Sequence, residues 1–528
     1  MLPRTWFLAV LVAATTPLAL SDPIAIAETT VAVPPALVAA DGVVHLFWIH
    51  RPPGYPRSTG ELWHAVVATD GRPLGAPSRL ATAADTRFAW PAAERLGSRL
   101  WVAWMERQGD ALRVRVTLLD QDGRTVKSVG PGGREAEEGG RVSLLASEGI
   151  LHLAWSQFDS GRRRIWYARL RADGEVDLPA RAVAQGEAPA LAIAEGVRLL
   201  WWHPAGGGNH VLRMAAPGGP GGPEELTGRL LLVHPLPPIP LPVGGGIDVL
   251  VPTTERAFRT SGQLYLVRVR GNAVTARLPL SRGRSMADVA AAAVPGAAGG
   301  LVVWQEAAGR RQNAEIFGAA FDPAAGQLTA VTRLTYTPAG SIRPAIVIPA
   351  GGPVLAWLET LDIARFRVVL GTAQRARPRA FLLGVPELDL RRPVLFVTFA
   401  LTALAATLPY AALFTAIFGL GALAVLLLAG AVLGGFSWWD DFRRRIGVSA
   451  FLVVVAVLQI SGRAVIPGRP DWATLAGTLL LFGGPGVLWG ARRRGASPSL
   501  PLIAAAAAVG LQMIAVLFPW AAGQLSQF

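Results

Sequence analysis

The sequence contains no cysteine, and lysine is nearly absent, Lys127 being the one example among 50 basic residues. Without cysteine there are no disulfides, no thiolate zinc or iron-sulfur ligands and no thiol nucleophile. Stability must therefore come from packing. Charge is scarce as well. Asp, Glu, Lys and Arg make up 16% of 528 residues, hydrophobic residues make up 52%, and the mean hydropathy is +0.39. An ordinary soluble domain carries about 25% charged residues, so this balance implies apolar segments beyond those of a soluble core. The net charge of +14 is carried almost wholly by Arg. In so Arg-biased a chain, a cluster of arginines says less about binding than it would elsewhere.

Several chemistries are missing too. The seven histidines include no pair at metal-ligand spacing on a helix, and no Gly-x-Ser-x-Gly elbow precedes a helix. The Gly-rich stretches 206–208, 218–222 and 244–246 lack the Lys-Ser/Thr of a phosphate loop and read as turns. No catalytic residue, metal site or cofactor is assigned from the sequence, and no nucleic-acid partner is expected.

The two ends are the apolar parts. A short basic start followed by the run Thr5 to Leu20 reads as a secretory signal peptide within residues 1–27, with small residues placed for cleavage after Ser21 or after Ala27. After a linker at 376–392, residues 393–528 read as a helical membrane domain. No charged residue occurs from Pro393 to Trp438, enough for two spans of about 20 residues. Three more are expected near 447–466, 472–489 and 500–520, with Gln459 and Arg463 in or at the end of the third. Five spans with an exported N-terminal part would leave Arg443–Arg445 and Arg492–Arg494 outside, against the positive-inside bias. Orientation and the exact span number stay open for that reason.

Between the ends lies a repeat. An apolar strand, a tight turn and a second strand ending in Trp recur at Trp48, Trp104, Trp155, Trp201, Trp304 and Trp357, with Val251 taking the fifth place. Successive positions differ by 56, 51, 46, 50, 53 and 53 residues. No single helix or heptad generates such a period. A third strand follows, as in Ile165 to Leu170, and in three copies an Asp-Gly hairpin turn comes next, at Asp70-Gly71, Asp122-Gly123 and Asp173-Gly174. The fold class predicted for residues 31–375 is a β-propeller of seven four-stranded blades, followed by an α-helical transmembrane domain of about five helices. The Trp column is expected to wedge between neighbouring sheets, each buried indole worth roughly 2 to 3 kcal/mol.

The unit Leu151-His-Leu-Ala-Trp155, Ser160-Gly-Arg-Arg-Arg164, Ile165-Trp-Tyr-Ala-Arg169, Ala172-Asp-Gly174 resembles a blade of the sialidase-like, BNR-type propellers. The resemblance covers residues 31–375 as architecture. The Ser-x-Asp-x-Gly-x-x-Trp box that marks many members is absent, and a Tyr-Glu pair with three arginines has no counterpart here. The resemblance implies the fold, whereas its chemistry does not carry over.

Two residues past the Trp position, every repeat is polar: His50, Glu106, Gln157, His203, Thr253, Glu306 and Glu359. These equivalent positions are expected to ring one face of the propeller. Arginines in the loops that follow, among them Arg162, Arg163, Arg310 and Arg311, offer planar forks for carboxylate or phosphate. The functional expectation is an extracytoplasmic binding or scaffold module for an anionic ligand or partner protein, held in the bacterial cell membrane as a multi-pass protein. Its expected partners are membrane lipid, a glycan or acidic protein, and other membrane subunits. The alternative is a membrane-tethered sialidase-like glycoside hydrolase using Glu106, Glu306 or Glu359.

Overall fold

In the strand Ile150–Asp159 nearly every residue is buried, so both faces of its sheet are covered. Leu151, Leu153 and Trp155 pack on Trp101, Ala103 and Met105 of the second repeat. From the other face of the sheet, Ala154, Ile165 and Tyr167 pack on Leu191, Leu199 and Trp201 of the fourth. A sheet covered on both faces needs neighbours on both sides, and the same alternation continues along the chain. Val251 meets Trp202 of the fourth repeat, and Leu250 meets Trp304 of the sixth. Trp357 meets Val303, and Leu358 of the seventh meets Trp48 of the first. Face-to-face packing thus returns to its start, which is the defining feature of a β-propeller.

The computed structural model describes residues 20–374 apart from short gaps, the widest at 255–261 and 133–138, together with helical stretches within 405–428, 453–459 and 509–517. The first strands of the repeats are Ala36–Ala40, Ala92–Leu96, Gly139–Ser147, Glu187–Ala194, Ile239–Val243, Ala287–Ala293 and Ser341–Val347. Each lies against the next, and the last lies against the first, so they line the axis. Within a repeat the strands pair antiparallel in sequence order.

Two expectations of the fold class are corrected. Seven separate four-stranded blades do not form. Five sheets are blade-sized, four with four strands and one with five, while strands from Ala36 to Val129 make one eight-stranded sheet. The join is the pairing of Ala84 with Glu106. Its cause lies next door: Asp85, fully buried, accepts hydrogen bonds from Arg107 Nε (3.1 Å) and Nη2 (3.0 Å), drawing the end of Ser78–Asp85 against Arg99–Gln108.

The membrane domain is the second correction. Among the described residues no helix is long and apolar enough to cross a membrane. The five-span domain and the multi-pass membrane localisation are therefore overturned. Most positions of those expected spans, Arg463 included, lie outside the described residues. The chain forms two compact units, residues 1–308 with 312–378, and residues 379–528 with 309–311. In the second, Phe414, Val455 and Met513 share an apolar cluster. Beside them, buried Gln459 and Gln512 exchange two amide hydrogen bonds of 2.9 and 2.8 Å. Reciprocal pairing satisfies polar groups that would otherwise cost stability inside an apolar cluster.

The propeller closes through its N-terminal side. Ile24–Thr29 pairs antiparallel with Phe366–Thr372 as the outer strand of the last sheet. Ahead of it, the Ser21 amide donates to Thr372 O (2.9 Å), and Leu20 joins the core between the sixth and seventh repeats. Cleavage after Ala27 would divide this strand, whereas cleavage after Ser21 would leave it whole. Residues 1–19 of the expected signal peptide lie outside the described residues.

The Asp-Gly turns interlock the repeats. Gly71, Gly123 and Gly174 all have positive φ, which Gly adopts without steric cost. Each also sits where a side chain would strike the preceding repeat: Gly71 on Ile24, Gly174 on Lys127, and Gly123 on the His64 ring, 2.0 Å from a Cβ. Gly271 shares the positive φ but faces open space. Gly123→Ala is therefore expected to destabilise the propeller by roughly 2 to 4 kcal/mol, against about 1 kcal/mol for Gly271→Ala. Urea unfolding midpoints of the two variants provide the comparison, and equal shifts would count against interlocking.

Candidate functional site

The seven polar positions past the Trp column lie at the same end of their second strands, each engaged differently. A residue two positions beyond a Trp shares its face of the strand. Two indoles use this, Trp155 Nε1 donating to Gln157 Oε1 (3.1 Å) and Trp304 Nε1 to Glu306 Oε2 (2.9 Å). Glu306 also receives Arg284 Nε at 2.9 Å, and Glu106 is held by Arg115 at 3.0 and 2.6 Å. Thr253 donates to Gln263 O, and His203 Nδ1 lies 3.1 Å from Gln185 O. His50 is half-buried, its Nδ1 without a hydrogen-bond partner among the described residues, and burial lowers its pKa despite Glu61. Burial raises that of Glu359 against the pull of Arg367, 3.9 Å away. Of the arginines, Arg162 is exposed at a hairpin end and Arg163 pairs with Glu187 (3.0 Å), while Arg310 and Arg311 lie outside the described residues.

A second constellation occupies the axis. The first strands of four repeats break register just where the polar positions lie opposite, between Gly139 and Val142, Glu187 and Ala190, Ala287 and Ala290, and Ile342 and Ala345. Each break is a β-bulge, which re-aims side chains. Ala188, Asp288 and Arg343, at three of them, hold positive φ values of 51°, 45° and 57°. For residues other than Gly such a conformation stores strain of about 1 kcal/mol or more, and it clusters at functional sites. Arg141 is the second residue inside the third repeat's bulge, whereas Asp288 and Arg343 are the first inside theirs, and Trp90 precedes the first strand of the second.

The side chains of Trp90, Arg141, Asp288 and Arg343 converge. The Arg141 guanidinium stacks directly over the Trp90 ring, and Arg343 lies 5.7 Å from the same ring centroid. Arg343 Nη1 donates to Asp288 Oδ1. Arg141 has no hydrogen bond or ion pair among the described residues. Burial bears against its charge most strongly, Asp288 supports that charge, and Arg343 opposes it. One guanidinium thus pairs with the carboxylate while a second lies beside it, both on an aromatic platform inside the ring of first strands. A local excess of one positive charge, presented by planar forks, suits an anion.

Comparison with known proteins identifies no family. No family model matches the chain, and no curated protein matches it. Solved structures do match. The polysaccharide lyase Uly1 is similar with a TM-score of 0.44 and 11% identity, over 65% of this chain and 90% of that one. The β-propeller domain of the Trilobed protease from Pyrococcus furiosus gives 0.40 and 10%, over 67% and 94%. A Trypanosoma rangeli sialidase mutant with trans-sialidase activity gives 0.39 and 10%, over 63% and 59%. The propeller assignment rests on the sheets and their closure.

One further acid lies on a first strand. Burial raises the Glu94 carboxyl to about 7, although its Oε1 accepts the Arg95 amide hydrogen at 3.1 Å. Because the folded value lies above the unfolded value near 4.5, the contribution of Glu94 is fully present below pH 4.5 and is lost as pH rises to about 7. Glu94→Gln removes the ionisable group. It is expected to stabilise the protein at pH 8 by on the order of 1 to 3 kcal/mol and to change little at pH 4.5. Urea titrations at both pH values check the sign.

Proposed function

We propose that the propeller is a binding module for an anionic ligand or an acidic partner segment, seated at the axial cluster of Trp90, Arg141, Asp288 and Arg343. The observation that carries this reading is the placement of two arginines from different repeats beside a single carboxylate and an indole. Among the described residues Arg141 has no partner of its own, so an incoming carboxylate, sulfate or phosphate would gain charge-assisted hydrogen bonds. Bulged backbone with positive φ at Asp288 and Arg343 supports a site under selection for geometry over local stability.

The glycoside hydrolase reading has less support. It needs two carboxyl groups free to exchange protons across a sugar, whereas Glu106 and Glu306 are each occupied by an arginine. Binding requires only that the axial arginines stay cationic and accessible from one end.

Calorimetric titration of the full chain with acidic and neutral oligosaccharides of equal length tests the proposal. Binding of the acidic member is expected, with Arg141→Ala and Arg343→Ala each weakening it at least tenfold and Arg162→Ala leaving it within twofold. Equal binding of neutral and acidic sugars, or indifference to both axial substitutions, would overturn it.

A further inference from the structure

The first and second repeats meet at two buried histidines remote in role from the axial cluster. His45, on Val43–His50, and His64, on Thr59–Ala68, are 1% and 2% exposed. Their rings stack with centroids 5.2 Å apart and planes within 9°, and His45 Nδ1 lies 3.0 Å from His64 Nε2. Phe47 stacks on His64 as well. The Asp120–Gly123 turn of the second repeat rests on the His64 ring, with Gly123 too close to admit any side chain. Beside His64 opens a cleft of about 460 Å³ lined also by Ser78, Arg79, Asp122, Arg124 and Thr125.

The proton inventory of this pair is tight. Two neutral imidazoles share one hydrogen bond, one ring donating and the other accepting. His45 Nε2 is buried with no partner among the described residues, so a proton added there places a charged N–H in an apolar site without an acceptor among them, a costly state. Among charged groups, Asp41 faces His45 and is itself held by Arg95. Around the cleft, Arg79 is held by Glu61, while Asp122 and Arg124 lie on the opposing turn.

We infer that His45 and His64 form an acid-operated latch between the first two repeats: taking up a proton, the pair carries a charge that its buried site leaves unsolvated, His64 swings into the adjoining cleft toward Asp122, and the Asp120–Gly123 turn lifts. Burial holds the His45 pKa down to about 4 and the His64 pKa to about 3, with Asp41 raising the first and His45 lowering the second. Both lie below the unfolded value near 6.5. The latch is therefore fully closed above pH 6.5 and loses its contribution as pH falls toward 4.

Hydrogen exchange of the full chain, read by mass spectrometry at pH 7 and pH 4 after correction for intrinsic rates, tests the latch. Peptides covering 61–67 and 118–126 are expected to exchange at least tenfold faster at pH 4, while peptides covering 189–201 change less than threefold. The variant carrying His45→Gln and His64→Gln is expected to lose this difference. Uniform loosening of all interfaces, or an undiminished local response in the double variant, would overturn the latch. Should that variant not fold, nitrogen chemical shifts of labelled histidines in the natural protein decide: two rings titrating below pH 5 support it, and all seven titrating near 6.5 contradict it.

Discussion

Every feature of the N-terminal unit depends on one constraint, the burial of both faces of each sheet against its neighbours around a closed ring. An isolated sheet of this composition would expose Trp155 on one face and Tyr167 on the other, side chains the ring leaves 1% and 4% exposed. The tryptophans are held chiefly by contact. The indole nitrogens of Trp104, Trp201 and Trp357 are buried without a hydrogen-bond partner among the described residues, an expense that packing must outweigh. Closure is completed by sequence-distant partners, since Ile24–Thr29 pairs with a strand more than 300 residues later. Such a contact has high loop-closure entropy and gains its stability only once the intervening sheets have stacked.

Much of this architecture was legible in the sequence because it is periodic. A Trp near every fiftieth residue and an Asp-Gly turn in three repeats encode sheets and their hairpins locally. What was not legible depends on a single pair or on distant contacts. The eight-stranded sheet follows from buried Asp85 and Arg107, which look like any acid and base in the chain. The closing strand at Ile24–Thr29 overlaps a segment whose small and apolar residues resemble the end of a signal peptide. Hydropathy beyond residue 393 pointed to five membrane spans, yet no helix among the described residues is long and apolar enough to cross a membrane.

The axial cluster shows the same limit. Trp90, Arg141 and Arg343 each stand 14 residues ahead of the Trp of their repeat, so the column was present to be read. It was obscured because the bulges shift the register there, carrying Asp288 two residues farther from Trp304, and because the column contains unlike residues. The polar positions just past the Trp are more regular in sequence, yet several serve the scaffold itself, as Gln157 accepts from Trp155 of its own strand. Regularity marked the scaffold. The irregular positions marked the place where three repeats present charge beside the indole of a fourth.

That convergence is the centre of the functional account, and anomalous diffraction from crystals of the full chain soaked in bromide tests it most directly. A bromide bound between Arg141 and Arg343 beside Trp90 is the predicted result. Bromide confined to exposed arginines such as Arg162, with Arg141 and Arg343 lying apart in the density, would contradict it.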